Sequence, residues 1–192
     1  MYLLVGLGNP GMEYAFTRHN VGFRVIDELA RRCAVKLKEV KDETLLAQAS
    51  LAGKRVVLAC PLTYMNRSGV AVNALLRRFS LGAEDLLVFY DDMDLPLGRL
   101  RLRPGGGSGG HRGMESLIAM LGTDNFPRLR LGVGRDAAAE GEEVARYLLT
   151  PFSAAEELVV QDAVLQAAGA AELFLRQGID AAMNRYNVLR DK

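Results

Sequence analysis

The sequence predicts an α/β protein, a β-sheet layered by α-helices. Three observations carry this. Short apolar runs suited to buried strands alternate with stretches of helical period. A glycine turn, Gly6-x-Gly8-x-x-Gly11, follows the first apolar run at once, as turns do at the carboxyl ends of strands in open α/β sheets. The 192 residues, 49% hydrophobic and 24% charged, suit one ordinary globule. At that length folding removes about 70% of the unfolded chain's surface from water, enough for a real core.

The elements follow in order. Residues 2–7 read as a buried strand. Residues 20–33 read as an amphipathic helix with Val21, Val25, Ile26, Leu29 and Ala30 on one side. Residues 44–51 and 54–60 read as strands around a turn at Gly53. Asn66 is placed to start a helix that runs to about Phe79. Leu86–Tyr90 is a short apolar strand ending in acids. Arg99–Arg103 alternates Arg with Leu, the pattern of a strand with one wet face. Gly105–Gly110 is a loop, 112–121 a helix and 128–134 another alternating strand. From Glu140 onward the chain reads as helical, with an Ala-rich amphipathic stretch from Ser153 to Arg176.

Composition excludes several classes. Met1-Tyr2 leads straight into an apolar stretch with no basic leader or small-residue cleavage site, so no secretory segment is expected. No apolar run approaches the roughly 20 residues that span a bilayer. Cys33 and Cys60 form no metal-ligand pattern and read as reduced core residues of a cytoplasmic protein. Net charge is only +1, but seven arginines lie between Arg99 and Arg135 against Glu115 and Asp124, leaving about +5 in that stretch. A neutral protein with such a face can hold a polyanion there.

Four motifs bear on chemistry. The glycine turn matches a dinucleotide cradle in spacing but not in context: no helix opens directly after it, and the acids about 20 residues on, Asp27 and Glu28, fall inside a helix. His19, one of two histidines, precedes a helix; it suits a solvated or capping residue and equally a general base. Asp91-Asp92-Met93-Asp94 caps an apolar strand, and suits a hard-cation site, a solvated edge, or partners for a base. Asp91 can fix a histidine tautomer if both strand ends open on one side of the sheet. Gly106-Gly107-Ser108-Gly109-Gly110 matches a serine-hydrolase elbow only because nearly every residue there is glycine. What remains is a loop that a ligand can approach closely, or a mobile surface loop.

Taken together, the segments resemble bacterial peptidyl-tRNA hydrolases. The resemblance rests on Gly6-Leu7-Gly8-Asn9-Pro10-Gly11, Tyr14, Thr17-Arg18-His19-Asn20, Pro61 to Gly69, Asp91 to Gly98, Gly105 to Gly113, and Asn125 to Gly132. It implies a single domain over residues 1–192, usually monomeric, with a mixed sheet surrounded by helices. It also implies hydrolysis of the ester between a peptide and the tRNA 3′ ribose, without metal or cofactor and away from membranes. By that analogy His19 is the catalytic base and Asp91 orients it. Asn9 and Asn66 line the cleft, and Tyr14 and Tyr64 contact the acceptor end of the tRNA. Arg103 and Arg130 meet its phosphates, and His111 belongs to the tRNA-binding glycine loop. Many relatives have Asn after that histidine; this chain has Arg112. Arginine donates but cannot accept hydrogen bonds, so Arg112 is expected to bind phosphate or ribose instead.

Such a reaction needs a deprotonated water and a donor for the oxyanion. His19 suits the first and the Asn66 amide the second, although Asn66 also suits a helix N-cap. The segment 140–150 and the glycine loop are placed to form a lid. A non-catalytic RNA-binding module and a nicotinamide-dependent oxidoreductase are the competing classes. A hydrolysis assay discriminates the first and cofactor titration the second.

Overall fold

The computed structural model describes residues 1–40, 43–135 and 141–188. Its strands are β1 (Tyr2–Gly6), β2 (Lys38–Val40), β3 (Thr44–Leu51), β4 (Lys54–Pro61), β5 (Leu86–Asp92), β6 (Leu100–Arg103) and β7 (Arg128–Gly132). They form one mixed sheet in the order β2-β3-β4-β1-β5-β7-β6. β1 runs parallel to β4 and β5, and β5 parallel to β7; β2, β3 and β6 extend the sheet antiparallel. The chain moves to one side of β1 for β4 and to the other for β5. That reversal opens a crevice at the carboxyl ends of β1, β4 and β5.

The helices are α1 (Val21–Arg32), α2 (Ser68–Phe79), α3 (Arg112–Leu121), α4 (Glu142–Leu148) and α5 (Ala154–Tyr186). α1 and α5 cover one face of the sheet, with Val25, Ile26, Leu29, Ala167 and Ala171 packed beside Leu4, Leu58, Phe89 and Leu129. α2 and α3 cover the other, with Val72, Leu75, Met114 and Leu117 packed against Leu3, Val5, Val57 and Val88. Each fully buried Leu or Val side chain contributes about 1.5–3 kcal/mol. β1 has buried residues on both faces, so it reads as a continuous apolar run rather than an alternating one.

α5 is long and apolar enough, by length and composition, to cross a membrane. The sequence shows no unbroken run of that length because Asp162 and Glu172 interrupt it. Its alanines (Ala163, Ala167, Ala168, Ala170, Ala171) are buried on the sheet, where small side chains permit close approach. Arg24 and Arg32 on α1 pair with Glu157 and Glu172 along it.

Several boundaries differ from those expected. β2 was unmarked in the sequence; Lys38-Glu39-Val40 is a largely exposed edge with no apolar alternation. α2 starts at Ser68, not Asn66, because Met65–Arg67 first form a 3-10 turn. No continuous helix runs from 140. Glu140 lies outside the described residues, α4 ends at Leu148, Thr17 bridges Pro151, and Ser153 caps α5 by accepting from Glu156 N–H. α5 is kinked at Gly178 (φ 85°). β7 ends at Gly132, before the expected 134, and β6 starts one residue late.

α1 starts unusually close to the sheet. A Cβ at Gly22 would overlap Phe89 O and the Leu7 backbone, and one at Gly6 would overlap Gly22 O. Gly22→Ala is therefore expected to cost about 1–3 kcal/mol of stability, read as a lower urea midpoint. Gly107→Ala, which meets nothing within 4 Å, is expected to stay within about 0.5 kcal/mol of the parent. Equal midpoints for both variants would refute the close approach.

Candidate active site

A cavity of about 1150 Å³ opens at the carboxyl ends of β1, β4 and β5. Asn9 reaches it from the turn after β1, Tyr64–Arg67 from the segment after β4, and Asp91 from the end of β5. His19 comes from a 3-10 turn, Arg18–Asn20, that leads into α1. Gly105–Arg112 form one wall, and Gly141, Val144, Ala145, Leu148 and Leu149 another. Of the segment expected as a lid, 140–150, the described part thus lines the cavity, while Glu140 lies outside the described residues.

His19 and Asp91 meet. His19 Nδ1 lies 2.8 Å from Asp91 Oδ1, and the Asp91 side chain is almost fully buried. His111 joins them, its Nε2 3.0 Å from the same oxygen. The imidazole rings of His19 and His111 sit 5.1 Å apart, and Tyr90 packs edge-on against His111. Burial works against charge on Asp91, but His19 and His111 outweigh it and hold its carboxyl well below the usual range. Burial works to lower the His19 pKa, but the charge and hydrogen bond of Asp91 prevail and raise it above 6.5; Arg112 opposes them. With Nδ1–H donated to Asp91, His19 Nε2 keeps its lone pair for the cavity.

Asn9 is equally constrained. Its Oδ1 accepts from Met65 N–H at 3.0 Å, so its Nδ2 donor is left to the cavity. Asn20 holds the Asn9 backbone from both sides: Asn20 Oδ1 accepts from Asn9 N–H and Asn20 Nδ2 donates to Asn9 O, each at 2.9 Å. Asn66 is exposed on the cavity wall and caps no helix: α2 has no side-chain cap. Tyr64 lies at the rim, 62% exposed. Tyr14 is not among the cavity residues; it lies in the 3-10 turn Met12–Tyr14.

The arginines divide. Arg128 is buried, and its guanidinium donates to the carbonyls of Asp124, Phe126, Gly106 and Gly107. It thereby pins the base of the glycine loop. Arg130 Nε pairs with Asp92, and Arg135 pairs with Asp94. Arg99 donates to Asn187 O. Arg67, Arg103 and Arg112 reach the cavity with no ion pair among the described residues. Of the three acids, Asp91 alone meets imidazoles; Asp92 and Asp94 pair with arginines, and Asp94 does so at the solvated edge.

His111 departs most from expectation. Its side chain is 8% exposed and both ring nitrogens are engaged, since Nδ1 accepts from Met114 N–H at 3.2 Å and caps α3. It presents no free group to a nucleic acid. His19, Asp91 and His111 are close enough, within 4.8 Å, to suit a metal ion. The hydrogen bonds argue otherwise. Met114 N–H can only donate, so His111 Nδ1 must offer its lone pair and Nε2 must carry the proton, leaving no lone pair there for a metal. The arrangement fits an oriented general base beside amide donors.

A family model described as "Peptidyl-tRNA hydrolase" matches residues 3–192. A peptidyl-tRNA hydrolase of Geobacillus kaustophilus is 50% identical over 187 residues, 97% of this chain and 100% of the relative. One of Aquifex aeolicus is 53% identical over 167 residues, 86% and 85% of the two chains. The crystal structure of peptidyl-tRNA hydrolase from Acinetobacter baumannii superposes with a TM-score of 0.93 at 34% identity, covering 99% of this chain and 96% of that one.

The site has a signed pH signature. His19 binds its proton more tightly in the folded chain, so its stabilising contribution is full below pH 6.5 and is lost as pH rises through the folded pKa. Asp91 acts in the opposite sense: its contribution is full above the ordinary 3.8 and is lost as pH falls toward the depressed folded value. In Asp91→Asn, burial and Arg112 act on His19 unopposed. NMR titration is expected to place His19 above 6.5 in the parent and below it in the variant. An unchanged midpoint would show that Asp91 does not control this imidazole.

Proposed function

This chain belongs to the peptidyl-tRNA hydrolase family, and from that premise we propose that His19 is the general base that directs water at the ester joining a peptide to the tRNA 3′ ribose. The observation that carries the reading is the 2.8 Å contact between His19 Nδ1 and buried Asp91 Oδ1 at the cavity floor. With Nδ1–H committed there, Nε2 takes a proton from water. The hydroxide attacks the ester carbon, and the Asn66 amide donates to the oxyanion that forms. The imidazolium then returns its proton to the ribose oxygen as the C–O bond breaks. A carboxylate and a free tRNA 3′ end leave. The residues require neither metal nor cofactor for these steps.

Asn9 supplies discrimination. Its outward Nδ2 donor suits the carbonyl of a peptide bond or N-acyl group. The ammonium of a free aminoacyl-tRNA carries only donors, so it leaves Nδ2 unpaired. Arg103 and Arg112, with the outer nitrogens of Arg130, take phosphates around the mouth. The Tyr64 ring stacks on a terminal base, a contact worth about 1–3 kcal/mol in single-strand binders. Tyr14, outside the cavity, meets the acceptor stem beyond the terminal nucleotides. The protein acts as a single-domain cytoplasmic monomer, away from membranes.

Hydrolysis of N-acetyl-aminoacyl-tRNA tests the reading. His19→Ala is expected to lower kcat by about 10²–10⁴-fold, and the parent to cleave the acetylated substrate far faster than the free one. Binding without hydrolysis in the parent would favour the RNA-binding module. Arg103→Ala is expected to weaken tRNA binding and reduce the log–log salt slope by about one. An unchanged slope would remove Arg103 from the phosphate contacts.

A further inference from the structure

The two nitrogens of His111 face groups of opposite demand. On one side Met114 N–H, at the start of α3, points at Nδ1 from 3.2 Å. On the other, Asp91 Oδ1 lies 3.0 Å from Nε2. One neutral tautomer satisfies both, the ring protonated on Nε2 alone; an imidazolium would set two N–H groups against each other at Nδ1. The ring is packed on several sides: its Cε1 lies beside Gly113, Tyr90 packs edge-on against it, and the His19 ring stands 5.1 Å off. Its backbone is tied as well, His111 N–H donating to Ser108 O and His111 O accepting from Glu115 N–H.

We propose that His111 is a positioning residue for the reaction: the amino end of α3 locks its ring as the Nε2–H form, and that proton holds Asp91 Oδ1 in place and shares its charge with His19. The inference rests on His19 acting as the base. Two imidazole donors converge on one carboxylate oxygen, so His19 receives part of its pull rather than all of it. The carboxylate is held against rotation, and His19 stays basic enough to take a proton without being protonated before substrate arrives. The charged and titratable groups around the pair are Asp91 and Tyr90 on β5, Arg112 on α3, Arg67 after β4, and His19 and His111 themselves. Among these, Asp91 alone bonds both rings.

The test combines a measurement on the parent with two variants. In 15N NMR of the parent at neutral pH, His111 is expected to show a pyridine-type Nδ1 and a pyrrole-type Nε2. An Nδ1–H ring or an imidazolium would overturn the lock without any mutation. His111→Asn keeps a side-chain oxygen to cap α3 but is too short to reach Asp91. It is expected to raise the His19 pKa, measured by NMR, by at least about half a unit, with the acid limb of kcat/KM moving up by the same amount. His111→Gln restores a donor of nearly the right reach and is expected to bring both values back toward the parent. Unmoved values in the Asn variant would overturn the proposal, as would equal shifts in Asn and Gln. If the NMR midpoint moves while the acid limb does not, positioning by His111 stands and His19 fails as the base. If His111→Asn does not fold, the tautomer measured in the parent decides the question.

Discussion

The site is organised around one buried charge. Asp91 is 2% exposed and remains ionised only because two imidazoles donate to one of its oxygens. A buried carboxylate without such partners is costly and protonates instead. Three parts of the chain must therefore arrive together: the end of β5, the turn before α1 and the amino end of α3. Each arrival has a visible cause. β5 is fixed in register between β1 and β7. The turn carrying His19 is brought in by Gly22 resting directly on the β1–β5 backbone. α3 is packed against Met65 and Leu7 through Gly113.

The same turn is held from behind by Arg18. Its guanidinium donates to Val133 O and to Glu156, and lies between the rings of Tyr147 and Phe152 at 4.4 and 4.7 Å. The residue beside the proposed base thus ties the segment just after β7, α4 and the start of α5 to the cavity floor. Removing such a cation would leave Glu156 partly unpaired and two rings without their filler. Its effect would reach His19 through the backbone rather than through any contact with substrate. Precision at the imidazole comes from packing well outside the cavity.

Much of this was legible in residue order. β1, α1, α3 and the β3–β4 hairpin were marked by period and by Gly53. The coincidence of a glycine turn, a following histidine and acids at a strand's end pointed to one crevice. Other features were illegible for physical reasons. β2 exists because β3 offers an edge, not because Lys38-Glu39-Val40 prefers a strand. Asn66 looked like a cap because sequence cannot distinguish a 3-10 turn from the first turn of a helix. His111 hid among glycines; the available signal was its place directly before a helical stretch, where an N-cap acceptor belongs, but a histidine there is read first as a ligand. The donor polarity of Asn9 depended on Met65, 56 residues away, and no local pattern encodes that.

The arginine stretch shows most clearly why charge counting misleads. Seven arginines between 99 and 135 suggested a broad basic face. The fold turns Arg128 inward onto carbonyls, pairs Arg130 and Arg135 with Asp92 and Asp94, gives Arg99 to Asn187, and leaves Arg101 exposed on β6. Arg103 and Arg112 reach the cavity with no ion pair among the described residues, and Arg67 joins them from a different part of the chain. This reduction suits a turnover enzyme. Every added phosphate contact strengthens substrate and deacylated tRNA alike, which lowers KM without accelerating the chemistry and slows release. On the proposed reading, a few such guanidiniums around a mouth whose floor is the oriented imidazole would seat the ester and still let the long product leave. Arg128, turned onto the carbonyls of Asp124, Gly106 and Gly107, braces the glycine-loop wall of that mouth.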